Sequence, residues 1–267
     1  TGPVQLVFTP TSNPPFILSG NLVLTPGQPF NGTVTIPGGL LPVDTYSVQA
    51  VYTSATPNFL GSTSPLYVGA AGVPQIVNKA STTTSINTST NPALSGQTVT
   101  LTANLLVVPP GAGAPTGTVA FKNGASNIPG CGAVPLVGLT ATCNTSFMTG
   151  SYTLTAVYSG DSNFNGSTSG GLLQVGVISP TTLTLVDLTA PSTNYGQTAT
   201  FKATVSPAAA LGFVTFKRAG IDIAGCVNVP VIAAMATCNT TALPAGDNPI
   251  SAVFTPTSDH SGSTSSV

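Results

Sequence analysis

Three stretches of this chain can be laid over one another residue by residue, and no other feature constrains its fold as strongly. They are TYSVQAVYTSATPNFLGSTS at 45–64, SYTLTAVYSGDSNFNGSTS at 151–169 and NPISAVFTPTSDHSGSTS at 248–265. In register, Val48, Leu154 and Ile250 correspond, as do Ala50, Ala156 and Ala252, and then Tyr52, Tyr158 and Phe254. A long-period repeat makes each copy a structural unit that must bury its own apolar face, so it has to be settled before any motif is read as a site.

The local pattern inside the copies is that of strands. Tyr152, Leu154, Ala156 and Tyr158 alternate with Thr153, Thr155 and Val157. This is the period of two that buries one face of a sheet. The same alternation turns Val99, Leu101, Ala103 and Leu105 inward, and likewise Ala199, Phe201, Ala203 and Val205. Pro and Gly cluster at 109–113, 129–130 and 244–246, where turns belong. No helical period competes. The expected fold is all-β, with tandem antiparallel two-sheet sandwiches of about seven strands each. The units run 1–71, 72–178 and 179–267.

Only 4% of the residues are charged, against about 25% in an average domain, and the formal net charge is -1. Five basic residues scattered along 267 make no patch able to neutralise several phosphates, which argues against a nucleic-acid partner. So few charges give little colloidal repulsion and favour self-association. Although Thr, Ser, Gly and Pro abound, 41% hydrophobic residues in alternation argue for packed strands over disorder. No apolar run approaches the ~18 residues of a membrane span, so membrane insertion is not expected. The first ten residues, TGPVQLVFTP, do not read as a signal peptide.

Cys131 and Cys143 lie 12 positions apart, and Cys226 and Cys238 repeat that spacing one unit later. One disulfide per unit is the simple reading. A metal site would need closer spacing or helping histidines, and the only His is His260. Disulfides in turn indicate an oxidising, exported setting, extracellular or at the cell surface.

The end units read as incomplete. QTVTLTANLLV at 97–107 precedes TGTVAFK in the second unit and QTATFKATV at 197–205 precedes LGFVTFK in the third, whereas the first opens directly on TGPVQLVF. It therefore reads as lacking its two opening strands, and the third, which stops after GSTS where the second continues with LLQVGV, as lacking its last. One explanation is a piece of a longer array. Another is strand donation, in which VQLVF of one chain completes the third unit of the next and builds a head-to-tail polymer. The stretch 66–81 reads as a longer linker than 172–180, which predicts more freedom between the first two units.

The run TTTSINTSTNPALSGQTVTLTANL, then PTGTVAFKNG, then SYTLTAVYSGDSNFNGSTS, resembles the bacterial Ig-like repeat of group 3 found on large exported surface proteins. TTLTLVDLTAPSTNYGQTATFKATV, LGFVTFKRAG and NPISAVFTPTSDHSGSTS repeat the likeness, which covers about 80–267 well. It implies an Ig-like sandwich used as a spacer or adhesive stalk module, without catalytic residues. The family supplies no functional motif to carry over onto individual residues here.

Few residues qualify as a site. Asp161, Asn163 and Asn165 form a D-x-N-x-N string that resembles the start of a calcium loop. The pattern then fails for want of a Gly and a distant Glu, so an Asx-stabilised turn is the plainer reading and no metal is assigned. With Phe164, Asp161 and Asn163 make the tentative binding loop. Asp259 and His260 are neighbours in the third copy of that loop, but no Gly-x-Ser-x-Gly elbow supplies a nucleophile. Sequons fall at Asn31, Asn87, Asn144, Asn165 and Asn239. Lys122 and Lys217 hold equivalent strand positions. No catalytic residue and no cofactor is expected. The function expected is a non-enzymatic extracellular structural repeat protein, a segment of a stalk, adhesin or filament whose partners are neighbouring repeats or other copies. The alternative is a module binding a glycan or host surface protein, appended to a secreted enzyme or adhesin.

Overall fold

The computed structural model describes residues 4–12, 16–18, 36, 40–54, 60–65, 75–189, 192–257 and 259–265, and over these the chain is strand, turn and bend with no helix. Two compact units emerge. One comprises Thr1–Asn87, Leu101–Cys143 and Leu154–Leu172, the other Thr88–Thr100, Asn144–Thr153 and Leu173–Val267.

In the first unit, Val4–Pro10 lies between Phe16–Leu18 and Asp44–Tyr52, antiparallel to both. Asp44–Tyr52 also pairs with Ser62–Thr63 and with Gln75–Val77, completing a five-stranded sheet. Two expectations change here. VQLVF is hydrogen-bonded along both edges, so donating it to another chain would first break two ladders. The stretch 66–81, read as linker, contains a strand of this sheet, and the stretch 172–180 contains Leu172–Val177. A Pro-rich, Gly-rich flank disguises the three-residue strand QIV, which is too short to show a period of two.

The same unit pairs Thr118–Asn123 with the strand Gly150–Tyr158 from Leu154 onward, Phe121 opposite Ala156 and Val119 opposite Tyr158. Ser126–Asn127 and Val134–Pro135 extend the other edge of Thr118–Asn123. A three-stranded sheet has the order Thr140–Ser146, Thr98–Val107, Thr82–Thr88. Val99, Leu101, Ala103 and Leu105 are buried while Thr98, Asn104 and Leu106 are exposed, as the alternation requires.

The second unit contains the third repeat, with sheets ordered Thr182–Asp187, Ala199–Ser206, Met235–Thr240 and Ile221–Asp222, Gly212–Arg218, Ile250–Pro256, Ser263–Thr264. One core joins Phe201, Ala203 and Val205 from the first sheet with Val214, Phe216, Ala252 and Phe254 from the second. Burial of such side chains, at about 1.5–3 kcal/mol each, is the main term holding a sandwich of this size together.

Three hydrogen-bond patterns recur and define the repeat physically. The last Ser of GSTS closes its hairpin: Ser64, Ser169 and Ser265 donate their N–H to the carbonyls of Ala50, Ala156 and Ala252 at 2.8, 2.9 and 2.9 Å. Their hydroxyls accept from the N–H of the same alanines at 2.9, 2.9 and 3.0 Å. Four residues back along the chain, a side chain ties down a turn: Tyr46 to the Pro42 carbonyl, Tyr152 to Met148 and Asn248 to Pro244. Finally, Phe121 and Phe216 donate to the carbonyls of Cys131 and Cys226 and accept from Ile128 and Ile223. A Ser169→Ala exchange leaves a buried N–H without its acceptor, so chemical denaturation should register a loss of about 1–3 kcal/mol.

Candidate functional site

The loop after the repeated xAxY strand, 159–166 in the second repeat, holds the tentative binding residues. Asp161 organises it. Its Oδ2 accepts from the N–H and hydroxyl of Thr116 at 2.7 and 2.8 Å, and its Oδ1 from the N–H groups of Asn163 and Phe164, both at 2.8 Å. This is the Asx turn that the D-x-N spacing favours. Gly160 makes the reversal possible: at φ +72° a Cβ would stand 2.8 Å from the Gly166 nitrogen. Phe164 is only 3% exposed and therefore packs under the loop, while Asn163 stays exposed.

Its backbone edge holds the start of the repeat. Ala80 donates to the Asn163 carbonyl and accepts from the Asn165 N–H, both at 2.9 Å. Thr82 donates to the Asn165 carbonyl at 2.8 Å and meets the Ser167 hydroxyl at 2.8 Å. Lys79 Nζ reaches the Asp161 carbonyl at 2.6 Å, and the Asn163 side-chain oxygen accepts from the Val43 N–H at 3.3 Å. The loop is thus a clasp gripping the strand that enters the repeat. The third repeat builds the same clasp from different residues. Ser179 donates to the Asp259 carbonyl at 3.0 Å and accepts from Ser261 at 2.9 Å, and Thr181 bonds the Ser261 carbonyl and the Ser263 hydroxyl. Most of these contacts use backbone, so Asn163 can become Asp259 and Phe164 can become His260 without loss of the grip. The first-repeat counterpart at 55–59 lies outside the described residues, as does the sequon at Asn31.

Electrostatics follow from the geometry. Burial alone would push the Asp161 carboxyl up, but the bonds from Thr116, Asn163 and Phe164 outweigh it and hold the group below its ordinary value of 3.8. Burial, then the charge and hydrogen bonding of Asp161, push the Tyr158 phenol up to about 12, and that hydroxyl donates to the Thr116 carbonyl at 2.6 Å. A carboxyl depressed on folding adds stability that is present above its unfolded value and disappears as pH falls through its folded value. An Asp161→Asn variant should therefore unfold more easily than the parent at neutral pH. The gap should narrow once pH drops below about 4, as read from urea midpoints across a pH series.

The cysteines pair as the spacing indicates, Cys131 with Cys143 and Cys226 with Cys238, at Cα separations of 5.9 and 5.4 Å. Lys217 makes an ion pair with Asp222 on a partly exposed strand edge, a contact that contributes little. The sequon side chains of Asn144 and Asn239 accept from the Thr100 and Thr200 hydroxyls, and Asn165 donates to the Lys79 carbonyl. Among the described residues no three His, Cys, Asp or Glu side chains gather in one group.

The bacterial Ig-like domain (group 3) family matches at 83–177 and again at 186–267. The chain belongs to that family. Its two Ig-like copies coincide with the two disulfide-bearing repeats, and the clasps lie at the entry to each. No curated protein sequence matches. Among solved structures, a tetra-tandem repeat from the extending region of a large adhesion protein aligns at 17% identity and TM-score 0.38, over 100% of this chain and 66% of that one. A putative membrane anchored protein from Corynebacterium diphtheriae aligns at 11% and 0.30, covering 100% and 57%. The fibronectin(III)-like modules of CbhA from Clostridium thermocellum align at 20% and 0.26, covering 68% and 93%.

Reading the chain by motif picks out the loop but not its partner. Ala80 and Ser179 carry no chemical signature. The signal available was the recurrence of Thr82 and Thr181 opposite the first Ser of GSTS, visible only once the strands are paired.

Proposed function

We propose that this chain is a non-enzymatic, exported structural protein, its Ig-like copies forming a spacer segment of a cell-surface stalk or adhesin. The observation that carries the reading is the duplicated clasp. A loop that could have presented side chains to a ligand instead spends its backbone groups on holding the entering strand, in two copies, with different side chains. A ligand site would demand the same side chains; a mechanical joint demands only the same backbone bonds. Disulfide closure of both Ig-like copies supports an oxidising location outside the cytoplasm. The shortage of charge fits association with other copies more than a solitary soluble protein.

Antibodies against 83–265 should label intact cells of the source bacterium; labelling confined to lysed cells would contradict the proposal. The binding-module reading predicts glycan-array signals that vanish in Asn163→Ala, the exposed side chain of the loop. The spacer reading predicts none that depend on it.

A further inference from the structure

One exposed group of side chains does recur in both Ig-like copies. The strands Thr140–Ser146 and Met235–Thr240 share the segment ATCNT, at 141–145 and 236–240. Its Ala and Cys residues serve the core and the cystine, whereas Asn144 and Asn239, each directly after its Cys, are exposed. The hydroxyl residues two positions further on, Ser146 and Thr241, are exposed as well, while Thr145 between them is half-buried and Thr240 buried. Each copy therefore presents both recognition groups of an Asn-x-Ser/Thr sequon to solvent.

The amide is held in the same way in both copies. Asn144 Oδ1 accepts from the Thr100 hydroxyl at 2.8 Å, and Asn239 Oδ1 accepts from the Thr200 hydroxyl at 2.9 Å. A bond to the oxygen is compatible with substitution at the nitrogen, because a glycosylated amide keeps its carbonyl and one N–H. The other described sequons do not recur. Asn165 donates its Nδ2 to the Lys79 carbonyl at 3.4 Å within the clasp, and Ser261 takes its place in the third repeat. Asn87 lies on Thr82–Thr88, whose counterpart Thr182–Asp187 contains no Asn. Position in the sheet adds a reason. Thr140–Ser146 and Met235–Thr240 each stand at the edge of their sheet, and neither contains the charged residue or Pro that ordinarily protects an edge from pairing.

We propose that Asn144 and Asn239 are N-glycosylation sites. The co-substrate is a sugar activated as a diphosphate ester. Asn Nδ2 attacks its anomeric carbon, the bond from that carbon to the diphosphate oxygen breaks, and the diphosphate leaves with the electron pair. One amide proton passes to a base of the transferase, and nothing is oxidised or reduced. The attached sugar leaves the bonds from Thr100 and Thr200 in place, hydrates a surface short of charge and blocks the edge strand. This goes beyond the spacer reading and does not depend on it, since shielding an edge serves any use of the array.

The test is peptide mass spectrometry of the protein produced in the source bacterium, once with an export leader and once without. Sugar mass is expected on the peptides containing Asn144 and Asn239, with at least tenfold lower occupancy at Asn165. Ser146→Ala and Thr241→Ala should each cut occupancy at their own Asn at least tenfold, and Ser146→Thr should retain it. Urea midpoints of these variants should match the parent's, which separates loss of the acceptor from loss of the fold. Modification of the exported protein alone assigns a lipid-linked diphosphate as donor, and modification of the retained protein assigns a nucleoside diphosphate sugar. Bare Asn144 and Asn239 in both preparations would overturn the proposal. So would sugar on the Thr hydroxyls instead, equal occupancy at Asn165, or occupancy that survives Ser146→Ala. An unmodified protein that dimerises through 235–240 would overturn it too, because a second copy would then cover the edge. Antibody labelling of intact cells is unaffected by any of these results, so the two readings fail separately.

Discussion

Replacing Phe216 by Ala should cost the third repeat about 3–5 kcal/mol, the largest effect expected of any single exchange in this chain. The side chain is 0% exposed and sits opposite Ala252 in the central pair of its sheet, within the core that also contains Val214, Phe254 and both Cys226 and Cys238. Its backbone bonds to Cys226 and Ile223, so the strand cannot shift inward to fill the cavity without breaking them. Small single domains have about 5–15 kcal/mol of stability in all, and the variant should therefore unfold at much lower denaturant while the other repeats keep their midpoints. Phe121→Ala should do the same to the second repeat, because Phe121 is fully buried and makes the equivalent bonds to Cys131 and Ile128. Equal stability of parent and variant by urea titration would mean that these phenylalanines are not the centres of separate cores.

Breaking the two disulfides comes next in size. Each bridges a sequence separation of 12, and closing a loop of that length restrains the unfolded chain by about 3 kcal/mol. Both cross-links tie the hairpin after the central Phe strand to the strand that follows, Thr140–Ser146 in one case and Met235–Thr240 in the other. Paired Cys→Ala variants, made one bridge at a time, should each lower the unfolding midpoint of one repeat and leave its neighbour untouched. Treatment with reductant should reproduce the double variant. A single shared shift for either pair would show that the repeats unfold as one body.

These outcomes rest on features of different legibility. The inward phase of 99–105 and 199–205 could be read directly, because a period of two leaves no freedom once one residue is known to be buried. The disulfides could be read from a spacing that occurs twice. The strand Gln75–Val77 could not, since three residues carry no period, and it was absorbed into a linker by its Pro and Gly neighbours. VQLVF was recognisable as a strand, but its two partners, one of them Phe16–Leu18, become evident only when the sheet is assembled. The loop 159–166 shows the same division. Its Asx turn follows from local spacing, whereas the grip on Ala80 and Ser179 is made of backbone groups, which no residue type announces. The repeated Ser in GSTS falls between: its recurrence is plain in the sequence, and its bond to the repeated Ala explains it.

The central claim, that this chain is a series of separately folded Ig-like copies each internally cross-linked, is tested most directly by stretching single molecules with and without reductant. Two unfolding steps should lengthen on reduction, each by roughly 35 Å, as the chain held behind each cystine is released. Steps of unchanged length, or one continuous extension without steps, would contradict it.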